Sequence, residues 1–146
     1  MAVILSGTAS DAHTWNLVFL QLLLEELGRP VINLGPCVPD QVLVDACVRL
    51  KPELVVVASV NGHGFQDGIR LVRLLRAHRS LDRVPVVIGG MLDTGADRTG
   101  EERRHKELEA AGYDAVFADS DDIVSRFIRF VTTRLNRSAC AEAWSG

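Results

Sequence analysis

The chain has 146 residues, 47% of them hydrophobic, and its 16 basic and 19 acidic residues leave a formal net charge of −3. That length fits one domain of the usual ~100–200 residues, able to bury a core without disulfide or structural metal, and the mixed charges give no footprint for nucleic acid or an anionic membrane. Cys37, Cys47 and Cys140 are odd in number and lack CxxC spacing, the opening MAVILSG lacks a basic leader region, and no run reaches the ~18 apolar residues of a membrane span; a cytoplasmic protein with reduced thiols is expected.

Ala2–Leu5 reads as a short buried strand, and His13 to Leu27 as a helix with Leu17, Leu20, Leu24 and Leu27 on one face and Gly28 as its stop. Trp15 and Phe19 fit a core-facing pair on it. Pro30 to Leu34 is a second strand ended by Gly35-Pro36, and Pro39-Asp40 opens a helix with Val42, Leu43, Ala46, Cys47 and Leu50 at helical spacing. Leu54–Ser59 (LVVVAS) is continuous enough to be buried on both faces. Asn61-Gly62-His63-Gly64 breaks it before a helix from Asp67 to Ala77. Val84–Ile88 is a fourth strand ended by Gly89-Gly90. Glu101–Ala111 is an exposed charged helix ended by Gly112, Ala115–Ala118 a fifth strand, and Ser120-Asp121-Asp122 caps a last helix through Leu135. His78 and His105 fall in charged stretches and are expected in solvent.

Strands alternating with helices predict an α/β domain. At this size the expected form is a flavodoxin-like (Rossmann-like), doubly wound, five-stranded parallel sheet of order 2-1-3-4-5 with helices on both faces. Residues 1–135 form the domain and 136–146 a C-terminal tail. Such sheets bind ligands beyond the carboxyl ends of the strands, where strand order reverses, here between the first and third strands. The loops there are GTASDAH and SVNGHG, with IGG alongside. They bring together Asp11, His13, Ser59, Asn61, Gly62, His63, Gly64, Gly89 and Gly90.

Each of these has a plain reading. Asp11 before a helix serves as an N-cap, His63 between glycines as a loop residue, and Gly89-Gly90 as a strand terminus. A phosphoacceptor receiver would need an Asp after the third strand and a Lys after the fifth, where Ala58-Ser59 and Ala118-Asp119 stand. A flavin site would find a suitable first loop in Ser6, Thr8 and Ser10, but only Phe65 as aromatic in the loops after strands three and four. A third reading takes Asp11 and His13 as a pair. The carboxylate can accept the Nδ1–H and leave Nε2 for a metal. No other ligand stands at metal spacing, so a zinc site is not expected; one protein ligand suffices for a metal already held in a macrocycle.

The order SDAH, VASVNGHG, VVIGG resembles the cobalamin-binding fold marked Asp-x-His-x-x-Gly, Ser-x-Leu, Gly-Gly. More closely it is similar to the small (sigma) subunit family of glutamate mutase, also called methylaspartate mutase, from Ala2 to about Phe130, including GPCVPDQVLVDA and LEAAGYDAVFA. The resemblance implies adenosylcobalamin as cofactor, its nucleotide base displaced, with His13 as the lower cobalt ligand and Asp11 as hydrogen-bond partner of His13. The implied cofactor-binding residues are Ser10, Asp11, Ala12, His13, Thr14, Asn16, Ala58, Ser59, Val60, Asn61, Gly62, Gly64, Gly89, Gly90 and Met91. Within that set, Ser59, Val60, Gly89 and Gly90 are implied to line the slot for the dimethylbenzimidazole tail. Two positions depart from the family pattern. Asn16 stands for the motif glycine, adding bulk beside the corrin, and Ala58 for the serine, with Val60 at the leucine.

The implied function is that of the cofactor-binding component of an isomerase, interconverting L-glutamate and 3-methylaspartate through an adenosyl radical. A separate, larger barrel subunit binds the amino acid, so the chain is expected to act in a hetero-oligomer and to be inactive alone, with no nucleic-acid or membrane partner. Two other functions use the same domain. One is a corrinoid carrier for methyl transfer, although such carriers place a helical domain before the motif and only ten residues precede Asp11. The other is a non-catalytic cobalamin-sensing module.

Overall fold

The computed structural model describes residues 2–7, 15–35, 38–59, 64–90, 98–118 and 125–134. In chain order the elements are β1 (Val3–Gly7), α1 (Trp15–Glu26), β2 (Val31–Asn33), α2 (Asp40–Leu50), β3 (Leu54–Ser59), α3 (Gly64–Arg76), a 3₁₀ turn (Arg79–Leu81), β4 (Val86–Gly90), α4 (Arg98–Ala111) and β5 (Ala115–Ala118). A last helix, α5, covers 125–134. The five strands form one parallel sheet in the order β2-β1-β3-β4-β5. The flavodoxin-like, doubly wound architecture is as expected from the pattern.

Alternation along the strands divides the core in two. Ile4, Val55, Val57 and Ile88 pack with Leu43, Val44 and Cys47 of α2, Leu71, Val72 and Leu75 of α3, Leu108 of α4, and Tyr113. Val3, Leu5, Val56, Ala58, Val87 and Phe117 face the other way, against Leu24 of α1 and Phe127 and Val131 of α5. β3 lies at the centre of the sheet with both faces covered, which is why Leu54 to Ala58 is apolar at every position. Gly28 closes α1 at φ 81°, its N–H donating to the Glu25 carbonyl (3.0 Å) while the Arg29 N–H reaches that of Leu24 (3.0 Å), the left-handed terminus that glycine adopts without steric cost.

Several boundaries differ from the sequence pattern. β1 runs on to Gly7 because Ser6 and Gly7 continue the ladder to Val57 and Ala58. β4 begins at Val86 and takes in Gly89 and Gly90, which pair with β3 on one side and β5 on the other. The glycines are therefore the last two paired residues of the strand. α3 starts at Gly64, three residues before the expected Asp67. Phe19 does not face the core; it is exposed with Val18 and Leu22. On α2 the inward set is Leu43, Val44, Ala46 and Cys47, whereas Val42 and Leu50 are exposed. His78 is exposed but His105 is half-buried. The 136–146 tail and the Ser120-Asp121-Asp122 cap lie outside the described residues, as does the side chain of Trp15.

Candidate functional site

One row of paired residues crosses the carboxyl end of the sheet. Gly7 of β1 pairs with Ala58 of β3, Ala58 with Gly89 of β4, and Gly89 with Phe117 of β5. Alternation puts this row on the side of the sheet that carries α1 and α5, where Ala58 and Phe117 are buried. Over three adjacent strands nothing larger than a methyl group rises from the sheet. The Phe117 ring closes the row on the β5 side, with Phe127 and Phe130 edge-to-face upon it at centroid distances of 5.6 and 5.8 Å. The smallness of Gly89 matters locally: a Cβ there would stand 3.2 Å from the Phe117 Cβ and 3.3 Å from its carbonyl oxygen.

The strand ends at this edge are pinned. The Gly7 N–H donates to the Gly35 carbonyl (3.0 Å), and the buried Ser6 hydroxyl donates to the Gly7 carbonyl (3.0 Å). Gly35, at φ 91°, donates its N–H to Asn33 Oδ1 (2.8 Å), and the Asn33 amide donates to Gln21 Oε1 of α1 (3.1 Å). The segment after β1 thus leaves from a fixed point between β2 and α1. On the other face, Arg70 of α3 bonds Asp40 at the start of α2 and pairs with Asp67 at 3.3 Å. That ties the N-termini of two helices, where carboxylates are favourably placed against the helix dipole. The Asp40 hydrogen bond raises the Arg70 pKa above its ordinary value.

The residues named from the sequence divide into two groups. Ala58 and Gly89 belong to the row, Ser59 and Gly90 pair one position further along, and Gly64 opens α3. Asn16 lies in the first turn of α1. Ser10, Asp11, Ala12, His13, Thr14, Val60, Asn61, Gly62, His63 and Met91 lie outside the described residues, as does Cys37. The segments that hold them, 8–14, 60–63 and 91–97, leave from Gly7, Ser59 and Gly90, the ends of three strands that the sheet places side by side. The pattern reading put Gly7 in a loop and passed over Phe117 and Arg70. Strand register joins the first two to the row, and a contact across thirty residues of sequence makes Arg70 part of the edge.

Chemically the row offers backbone, one methyl and an aromatic wall. Its four residues, Gly7, Ala58, Gly89 and Phe117, carry no acid, base or nucleophile. A doubly wound α/β domain with a smooth, small-residue shelf at its topological switch point is a ligand-binding domain.

Residues 1–128 match the family of the B12 binding domain, and the chain belongs to that family. It is 33% identical over 120 residues to the glutamate mutase sigma subunit 2 of Haloarcula marismortui, covering 82% of this chain and 78% of that one. It is 30% identical over 122 residues to the glutamate mutase sigma subunit of Escherichia coli O157:H7, covering 83% and 79%. Among solved structures, a novel cobalamin-binding protein from Desulfitobacterium hafniense DCB-2 superposes with a TM-score of 0.68 at 24% identity. That match covers 89% of this chain but only 59% of the solved chain, and it speaks for the fold alone.

Proposed function

We propose that this chain is the cobalamin-binding subunit of an adenosylcobalamin-dependent carbon-skeleton mutase, namely glutamate mutase, acting with a larger subunit of barrel type that binds the amino-acid substrate. The observation that carries the reading is the agreement of relatedness with topology. Across most of its length the chain is related to sigma subunits, and the three motif segments that mark the resemblance spring from adjacent ends of β1, β3 and β4.

The residues present suit such a cofactor. Gly7, Ala58 and Gly89 leave a shelf on which a flat heterocyclic tail can lie, against the side where Phe117 stands. Ser59, Val60, Gly90 and Met91 would border it, with Ser10, Ala12, Thr14, Asn16, Asn61, Gly62 and Gly64 around the corrin. His13 would hold the cobalt. Asp11 would accept its Nδ1–H, fixing the tautomer and raising the basicity of the other nitrogen. When bound, the cofactor supplies the radical chemistry, and the protein's part is to bind, orient and exclude water. The chain's own share is to grip the tail and present one face of the corrin to the partner; it is inactive without that partner. The domain spans 1–135, with 136–146 as a tail, and the site of action is the cytoplasm.

The test is direct. Adenosylcobalamin added to the purified chain should bind saturably with the absorption spectrum of imidazole-ligated corrinoid, and His13→Ala should lose that spectrum. Asp11→Ala should weaken binding by about 10–100-fold. Mixed with a purified glutamate mutase large subunit, the chain should restore conversion of glutamate to 3-methylaspartate. A wild-type spectrum in His13→Ala would dismiss the ligand assignment. Cofactor binding with no rescue of the mutase would leave the binding site standing and remove the substrate assignment.

A further inference from the structure

Helix α1 is apolar on more sides than the sheet uses. Leu20, Leu23 and Leu24 pack against the sheet, while Val18, Phe19 and Leu22 point outward at 52%, 47% and 59% exposure. Those three fall at i, i+1 and i+4, one stripe on the solvent side of the helix. The other exposed large hydrophobics among the described residues are spread over two helices, Val42 and Leu50 on α2 and Leu74 on α3. The end of α1 is unusual as well. Glu25 and Glu26 stand in its last turn with no basic residue there, against the negative end of the helix dipole. Glu25 accepts a hydrogen bond from the Gln21 amide (3.0 Å), whereas Glu26 is exposed.

The path of the chain brings one segment to this surface. α5 packs in the same layer as α1, its Phe127 and Val131 sharing one apolar cluster with Leu24. Arg134 at its end pairs with Asp114 (2.9 Å), whose N–H donates to the Val86 carbonyl at the start of β4. α1 ends at the same amino edge, where the Val3 N–H donates to the Pro30 carbonyl. Residues 135–146 therefore set out from the edge at which α1 ends. In their sequence, LNRSACAEAWSG, Asn136 is a residue type that ends helices and Ser138 one that begins them. Ala139, Cys140, Ala143 and Trp144 then recur at i, i+1, i+4 and i+5, the spacing of one apolar helical face. Four residues of helix rise about 6 Å, which matches the step from Leu22 back to Val18.

We propose that residues 138–145 form a short helix lying antiparallel on the outward stripe of α1. Trp144 covers Val18 and Phe19, Ala139 and Cys140 cover Leu22, and Arg137 in the turn faces Glu26. The segment answers both features of α1, with an apolar face for the stripe and a cation for the acidic helix end. The inference rests on α1 and α5 and owes nothing to the cofactor reading.

Trp144 reports the contact, because Trp15→Phe leaves it as the one tryptophan of the chain. Should Trp15→Phe not fold, the difference between wild type and Trp144→Phe gives the same signal. For the full chain without cofactor, the expected result is blue-shifted Trp144 emission and acrylamide quenching severalfold weaker than in urea, unchanged across a micromolar dilution series. Phe19→Ser with Leu22→Ser, on the helix surface, should shift the emission to the red and raise quenching severalfold, while the far-ultraviolet dichroism of the fold is retained. Glu26→Arg should act in the same direction by a smaller factor, through repulsion of Arg137. Trp144 as open to acrylamide as in urea overturns the proposal and leaves the stripe to another protein. Shielding that fades on dilution overturns it in favour of a second copy. Shielding that ignores the Phe19 and Leu22 substitutions overturns it in favour of another seat for the segment.

Discussion

The two ends of the sheet are built by opposite means. At the amino end, Arg76 of α3 donates to the carbonyls of Leu81 (2.7 Å), Val84 (2.9 Å) and Gly112 (2.9 and 3.1 Å) and pairs with Asp114 at 3.0 Å. Asp114 also accepts the Val86 N–H (2.8 Å) and pairs with Arg134 of α5 at 2.9 Å. One guanidinium and one carboxylate thus fasten α3, the 3₁₀ turn, the starts of β4 and β5, and α5. At the carboxyl end the central strands carry Gly7, Ala58 and Gly89 in one row, none with a side chain larger than a methyl group. Polar side-chain fastening is dense at the amino edge, and small residues line the carboxyl edge.

The strongest way to break this contrast is at Arg76, whose side chain is 20% exposed. Arg76→Ala strands several carbonyls and takes from Asp114 one of its two cationic partners, and should cost about 3 kcal/mol in urea unfolding. A loss under about 1 kcal/mol would mean the amino edge is not the fastening it resembles. At the other edge, Gly89→Val sets a branched side chain against Phe117. It should reduce stability by about 1–2 kcal/mol yet lower corrinoid affinity by more than roughly tenfold, since one Å of misplacement at a shaped site is costly. Equal binding by Gly89→Val and wild type would show that the shelf is not where the ligand rests.

Between the edges, the Cys47 thiol is fully buried, and burial pushes its pKa from 9.0 up to about 12. Above pH 9 the unfolded thiol gives up its proton while the folded one keeps it, so the unfolded state binds fewer protons and stability falls as pH rises. The contribution is complete below pH 9 and is lost as pH climbs toward 12, at up to about 1.4 kcal/mol per pH unit. Unfolding free energies measured from pH 8 to 11 should show this slope in the wild type and a shallower one in Cys47→Ala. The smallest effect is expected at Arg70, whose side chain is 53% exposed. Arg70→Ala should cost only about 0.5–1 kcal/mol, in keeping with an edge that does not carry the stability of the fold.

The residues near the ligand edge show where pattern reading reaches its limit. SDAH, VASVNGHG and VVIGG could be picked out because each follows an apolar run that must be a strand, and strand order then puts the three together. Gly7, Phe117 and Arg70 could not be found that way. Nothing in SGTASDAH marks Gly7 as a strand residue until its pairing with Ala58 is known, and Arg70 meets Asp40 only because α2 and α3 lie side by side. Phe19 is expected inward on spacing alone; α1, in which nearly every position is apolar, has no unique inward face, and packing against the sheet chose Leu20, Leu23 and Leu24 instead.

By itself the sequence determined the alternation of strands and helices, the doubly wound order and the family motifs, because these follow from local periodicity and from the few right-handed ways to join parallel strands. Tertiary structure alone decided the register that makes a shelf of Gly7, Ala58 and Gly89, the Arg76–Asp114 fastening, and the outward turn of Val18, Phe19 and Leu22. Each of these is a contact between residues far apart in the chain, and the energies that select among such contacts exist only once the sheet and its helices are packed.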